Sequence, residues 1–154
     1  MKIATKIFGN IDIGDEKIIE FPKGIIGFEE CRHFVLMHGD DGEKEHLIKW
    51  LQSVEDGELA FPVIDPLKVN ENYNPIVEDE LLKVIGQFEL EDLYVLTVAT
   101  VPKDIEKMTV NLKAPVIINT ATMKGIQLIV DNEEYSVRQS VYNLIKARKE
   151  KAGE

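Results

Sequence analysis

The 154-residue chain predicts a mostly β fold: a small barrel-like β domain covered by one or two helices, one of them C-terminal. Three observations lead there. Apolar and polar residues alternate through the first two thirds, with turn residues about every ten positions. Residues 93–101 (LYVLTVATV) are β-branched and almost uninterrupted, as in a strand buried on both faces. After Ser136 the apolar spacing changes to that of a helix. There is no repeat, linker or low-complexity tract, so a single domain over residues 1–154 is expected. Such a length buries about 70% of the surface its unfolded chain exposes, so no disulfide or metal staple is required.

The elements follow in order. Ile3, Thr5 and Ile7 alternate with Lys2, Ala4 and Lys6, Gly9-Asn10 supplies a turn, and Ile11 and Ile13 resume the alternation. Ile18, Ile19 and Phe21 make a short apolar run. Residues 33–38 (HFVLMH) and 46–51 (HLIKWL) flank Gly39-Asp40-Asp41-Gly42 and read as a hairpin. In residues 58–64 (ELAFPVI), Pro62 cannot donate to a ladder, which predicts an edge strand or a bulge. Residues 65–75 are loop. Residues 78–85 (EDELLKVI) are ambiguous between strand and helix; Leu81, Leu82 and Ile85 fit one helical face, and the leading acids suit a helix N-terminus. Strands are predicted at 109–112, 116–120 and 126–130, with Lys124-Gly125 turning between the last two. Val137, Val141, Leu144 and Ile145 then share a helical face. Ser136 and Gln139 have capping-box spacing, and Lys146, Arg148, Lys149 and Lys151 suit the last turn.

Charge excludes one class of partner and favours another. With 28 acidic against 18 basic residues, net charge −10, the chain is repelled by phosphate backbones and attracts basic proteins. The single cysteine, Cys31, has no partner for an internal disulfide, which fits a reducing compartment. With no segment of signal-peptide character and no apolar run of membrane-spanning length, a cytoplasmic protein with no membrane partner is expected.

The chemistry-bearing residues do not assemble into an enzyme signature. His33 and His38 are five apart on one strand and point to opposite faces, and His38 and His46 lack a third ligand across the hairpin. Cys31 sits beside Arg32 and His33, but adjacent side chains point apart and nothing fixes a base on the sulfur. Residues 40–43 (DDGE) lack the alternating ligands of a calcium loop. The clusters at Glu78, Asp79 and Glu80 and at Glu89, Glu91 and Asp92 read as solvated rather than as a fixed acid/base pair. Residues 24–27 (GIIG) have no following Lys-Ser/Thr to hold a phosphate. No catalytic residue, cofactor or metal is therefore assigned.

Three stretches together are more specific. They are residues 20–36 (EFPKGIIGFEECRHFVL), 48–66 (IKWLQSVEDGELAFPVIDP) and 109–130 (TVNLKAPVIINTATMKGIQLIV). This ordered set resembles the flagellar assembly factor FliW family, over nearly the whole chain from Ile3 to about Arg148. Gly27-Phe28-Glu29 matches the family's Gly-Phe-Glu after a Pro-Gly turn. Residues 50–53, Phe61 and Asp65-Pro66 match its Trp/Leu-Gln-Ser segment with a following Phe and Asp-Pro. Asn111, Leu112, Ala114 and Pro115 match its Asn-Leu-x-Ala-Pro segment. The resemblance implies a β-barrel-like domain that makes no covalent bond. It implies binding to flagellin in the cytoplasm, and to CsrA, a small basic RNA-binding dimer that represses flagellin translation. Flagellin would occupy the adaptor until export, after which the freed adaptor would bind CsrA away from its RNA site and relieve repression. A small barrel enzyme or carrier of an apolar ligand is the alternative, and a direct nucleic-acid binder is disfavoured by charge.

Within that frame Phe21, Ile25, Ile26 and Phe28 are expected in the barrel core, with Gly24 and Gly27 permitting tight turns, and an exposed apolar groove for a flagellin terminus is the other possibility. Trp50 is read as core, with an interface anchor as the other possibility. Glu71, Glu78, Asp79 and Glu80 are the candidate acids for CsrA. Val63, Leu67, Val69 and Tyr73 are the candidates for an apolar groove that would take a helical flagellin terminus.

Overall fold

The computed structural model describes residues 1–38 and 48–142. The strands are β1 (Lys2–Thr5), β2 (Gly9–Asp12), β3 (Ile19–Glu20), β4 (His33–His38), β5 (Lys49–Ser53), β6 (Ala60–Ile64), β7 (Leu93–Thr100), β8 (Thr109–Val110), β9 (Val116–Asn119), β10 (Lys124–Gln127) and β11 (Gln139–Ser140). The α-helices are single turns, α1 (Pro66–Val69) and α2 (Asp79–Leu82).

Seven strands close a barrel in the order β7-β6-β5-β4-β3-β10-β9 and back to β7. Every neighbouring pair is antiparallel except β3 with β10, which is parallel and joined in register only at Glu20 and Lys124. Alternation decides which side chains fill the ring. Phe34, Leu51, Val63, Leu96, Val116 and Ile118 point inward and pack with Ile19, Phe21 and Ile25. Each is almost fully buried, so the barrel interior is filled by its own side chains.

The outward neighbours of those residues are also covered. Ile64 and Ala99 join a second cluster with Tyr73, Met108, Leu112, Tyr135 and Val141. Ile117, Ile126 and Leu128 meet Leu82 and Ile85 in a third. Consecutive Leu96 and Thr97 are therefore both buried, as the sequence of residues 93–101 predicts. The Thr97 hydroxyl donates to the Ile64 carbonyl (2.8 Å), so its burial leaves no unmet donor. The ambiguous 78–85 segment is helical: α2 runs into a 3-10 turn at Lys83–Ile85. Leu82 and Ile85 bury, whereas Leu81 faces solvent.

Several expectations are corrected. Gly9 belongs to β2, and the first turn is Lys6–Phe8, where the Thr5 hydroxyl accepts from Phe8 N–H. Ile26 and Phe28 are half-exposed while Phe21 and Ile25 are buried. The turn between Gly24 (φ 69°) and Gly27 (φ 88°) brings Ile25 against Phe28 and lifts Ile26 out of the core. Trp50 is half-buried, opposite Met37 and Pro62. β6 is not an edge: it lies between β5 and β7, but β7 pairs with it only at Val63 and Ile64, so Pro62 sits where no β7 partner is in register.

Two turn assignments also move. The turn between β9 and β10 is at residues 120–123, with Met123 at φ 56°; Lys124 and Gly125 are already strand. Gly125 serves packing, because a Cβ there would lie 2.7 Å from the Phe21 ring. The helix expected from Ser136 does not start there: Gln139–Ser140 pairs with β8, and Val137 is exposed while Val141 is buried, so the two do not share a face. The remaining helix positions, Leu144, Ile145, Lys146, Arg148, Lys149 and Lys151, lie outside the described residues, as do the 39–42 turn and His46. No helix among the described residues is long and apolar enough to cross a membrane.

Candidate functional site

The connection between β6 and β7, residues 65–92, holds four exposed large apolar residues: Leu67, Ile76, Leu81 and Leu90. Asp65 opens it by capping α1, its side chain accepting from Leu67 N–H (2.9 Å) with Pro66 at the first helical position. One turn later Asn70 repeats the device on Asn72 N–H (2.9 Å). The rest of the loop is pinned from far along the chain. Asn74 N–H donates to the Tyr135 hydroxyl (2.8 Å), and Ile76 N–H donates to Asn132 Oδ1 (2.8 Å). Tyr73 lies against Tyr135 with ring centroids 4.6 Å apart, and its hydroxyl donates to the Leu112 carbonyl (2.7 Å). A loop held at both backbone and ring is a fixed wall.

Opposite this wall stand Leu90, Leu93 and Tyr94 at the entry to β7. Between them lies a groove of about 470 Å³, lined chiefly by Leu67, Tyr73, Val77, Leu90, Leu93 and Tyr94. Its apolar rim is open to solvent: Leu67 is 54% exposed, Leu90 84%, and neighbouring Ile76 73%. Large apolar residues clustered at this exposure mark a contact surface rather than isolated surface leucines. Lys49 Nζ donates to the Tyr94 hydroxyl (2.7 Å) and fixes that ring at the groove's end.

The predicted groove residues separate. Leu67 lines the groove at its mouth, and Tyr73 contributes its ring to the wall although the residue is buried. Val63 does not contribute: it points into the barrel interior with no exposed surface. Val69 is half-buried and packs against the cluster of Tyr73 and Tyr135. The alternation explains Val63, since its inward register against Val98 leaves it nothing to offer a partner. Leu93 and Tyr94 are missed because residues 93–101 read as wholly buried strand, and Leu90 because it stands among Glu89, Glu91 and Asp92, which read as a solvated cluster.

The predicted acids are all on the surface near this site. Glu71 follows α1, Glu78 precedes α2, and Asp79 and Glu80 form the first turn of α2. Glu80 meets Lys83 one turn on (3.0 Å), a solvated pair of small energetic weight. Asp79 also lines a second cleft, of about 710 Å³, with Lys83, Gln87, Phe88, Glu89 and Asp92; Leu82 borders both depressions. The cleft's wall is held by Asn119, whose Nδ2 donates to the Ile85 and Gln87 carbonyls (2.9 and 3.0 Å).

The residues considered for catalysis are placed elsewhere. His33 contacts Glu55 through its ring while its N–H donates to the same carboxylate. Burial pushes the Glu55 carboxyl upward, but these hydrogen bonds and the nearby imidazole outweigh it and hold the group below its usual range. Cys31 is half-buried against the barrel interior. Among the described residues, no three His, Cys, Asp or Glu side chains are grouped to hold a metal ion.

The comparisons with known proteins agree over almost the full length. Residues 2–141 match the family described as FliW protein. The flagellar assembly factor FliW of Lachnospira eligens is 49% identical over 147 residues, 95% of this chain and 97% of the relative. That of Lachnoclostridium phytofermentans is 44% identical, covering 98% and 97%. A crystal structure of the flagellar assembly factor FliW superposes with a TM-score of 0.83 at 32% identity, covering 92% of this chain and 97% of that one.

Proposed function

This chain belongs to the FliW family of flagellar assembly factors, and from that premise we propose that it is a non-catalytic, partner-switching adaptor of the cytoplasm. It binds flagellin before export. Once released, it binds the translational repressor CsrA and lifts repression of flagellin synthesis.

The observation that carries this reading is the open apolar groove with acids on the adjoining surface. A flagellin terminus that is amphipathic and unassembled needs an apolar trough, and Leu67, Leu90 and Tyr94 offer one on a rigid frame. A basic repressor needs a negative approach path, and Glu71, Glu78, Asp79 and Glu80 are exposed on a chain of net charge −10. The adaptor touches CsrA away from the RNA site, so charge steers the encounter without mimicking nucleic acid. Non-catalytic action is consistent with the distribution of His33, Cys31 and the carboxylates, and with a barrel interior packed by Phe21, Phe34 and Leu51.

The test is titration of the purified protein with flagellin and with CsrA, separately and together. Binding to both, with flagellin lowering the apparent CsrA affinity, is expected. Association with CsrA should slow as salt rises from low to physiological concentration, and reversing the four acids should remove most of that dependence. A chain that binds neither protein refutes the proposal.

A further inference from the structure

We propose that the basic partner docks on a second surface, at the far end of β6 from the groove, with Ile26, Phe28 and Ile129 as its apolar centre and exposed carboxylates around it. The inference rests on reading this chain as an adaptor for a basic protein. It assigns that protein's short-range contact, whereas the acids near the groove shape its approach.

Three observations carry it. The first is exposure on a fixed frame. Ile26 is 48% exposed, Phe28 44% and Ile129 64%. The tip bearing Ile26 is held from far along the chain: Ile26 N–H donates to Gln127 Oε1 (3.0 Å), and Gln127 Nε2 donates to the Ala114 carbonyl (3.2 Å). Phe28 N–H donates to the Ile25 carbonyl (2.7 Å) and closes the turn, and the Phe28 ring stands edge-on to Phe61 with centroids 5.2 Å apart. Side chains positioned before binding lose little freedom on docking.

The second is contiguity. Leu128 and Val130 are buried while Ile129 is exposed, so Ile129 shares the face of Gln127, about 7 Å away. Ile26 is bonded to that same Gln127. Two distant segments thus bring large apolar side chains to one surface, which singly scattered apolar residues do not do. β6 separates this surface from the groove. Phe61 backs Phe28 near the start of the strand, and Asp65 opens the groove just past its end, about 13 Å along.

The third is charge. Residues 20–32, 54–61 and 127–134 border the surface. Each segment holds three acids, against Lys23 and Arg32 as their only Lys or Arg residues. Glu29 and Glu30 directly follow Phe28, Glu55 is drawn in by its bond from His33 N–H, and Asp131 lies two residues beyond Ile129; all four are exposed. An apolar centre with an acidic rim complements a basic protein that carries an apolar patch among its lysines and arginines. Rim charge then sets the rate of encounter, and the apolar centre sets the residence time.

Surface plasmon resonance of the full-length protein tests this, with CsrA as the basic probe and flagellin as the second analyte. Ile26→Ser/Phe28→Ser should release CsrA about tenfold faster, with flagellin binding as in wild type. Phe28 also packs on Phe61, so Glu30→Lys/Asp131→Lys, which changes two exposed side chains, serves as the second variant; it should weaken CsrA binding and spare flagellin. In the wild-type protein, CsrA should protect Ile26, Phe28 and Ile129 from hydroxyl-radical oxidation. Wild-type CsrA binding in both variants, no protection by CsrA, or protection of these residues by flagellin in its place overturns the inference and leaves the adaptor reading intact. A wild-type chain that binds no CsrA refutes the adaptor reading, and the assignment falls with it.

Discussion

Replacing Tyr73 by Phe isolates one hydroxyl in the wall of the groove. The ring stays against Tyr135, so packing is retained, but the Leu112 carbonyl loses the donor that sits 2.7 Å from it. Leu112 is 1% exposed, so water does not readily replace that donor. A buried carbonyl left unsatisfied costs about 1–3 kcal/mol. For a chain of this size each kcal/mol lowers Tm by about 2–4 °C, so a drop of about 2–12 °C is expected by calorimetry or circular dichroism at neutral pH. A second readout comes from alkaline pH. Burial, aided by Tyr135, holds the Tyr73 phenol above its ordinary pKa of 10.0. Its folded-state value lies above the unfolded one, so its contribution to stability is full below about pH 10 and is lost as pH rises from there toward the folded value. The wild-type protein should therefore lose stability above pH 10 more steeply than Tyr73→Phe. A variant with the wild-type Tm and the wild-type alkaline slope would refute the assignment of Tyr73 as a wall fixed from within.

The remaining predictions separate surface from frame. Leu67→Ser with Leu90→Ser should change stability by less than about 1 kcal/mol, because both side chains are largely in water, while weakening flagellin binding; a large loss of Tm would show them to be structural. Gly125→Ala should cost about 1–3 kcal/mol, read by urea denaturation, because its Cβ meets the buried Phe21 ring at 2.7 Å. Glu55→Gln should flatten the acid limb of the stability curve. Its carboxyl titrates below the ordinary value, so its contribution is present above the unfolded pKa and fades as pH falls through the folded one, and a variant whose acid limb matches wild type would show the His33 contact to be without effect.

The fold was legible wherever one physical signal dominated. A short apolar run ahead of turn residues placed β4, and the unbroken β-branched run placed β7 with buried residues on both faces, because composition and branching are local properties of the chain. The family resemblance was equally legible, since it rests on residues in order rather than on contacts. The misreadings occurred where a residue type has more than one use. Gly125 reads as a turn glycine but is strand, kept small by an aromatic ring more than a hundred residues earlier. Pro62 reads as an edge marker, yet the β7 ladder simply stops short of it. Ser136 and Gln139 have the spacing of a cap, but Gln139–Ser140 finds a strand partner at Thr109–Val110. The groove was half legible. Leu67 and the loop around it stood out by their irregular setting, whereas Leu90, Leu93 and Tyr94 form the facing wall only because the chain returns there. Asn132 and Tyr135, which hold the loop, carry no signal in sequence beyond being polar groups that need partners.

The single parallel contact between β3 and β10 bears on how the molecule is made. Six of the seven ring junctions join antiparallel strands, but the seventh links Glu20 to Lys124, with Glu20 N–H donating to the Met123 carbonyl (2.9 Å). Bringing those residues together orders about a hundred intervening positions for very little ladder, and the entropic cost of so long a loop is recovered only after the other strands have assembled. The seam is therefore the last junction to form and the first to open. During synthesis β3, the first barrel strand, must wait for β10, about a hundred residues later. In the mature protein, amide exchange at Glu20 should run ahead of the β4–β5 ladder, through local opening that leaves the rest of the ring intact.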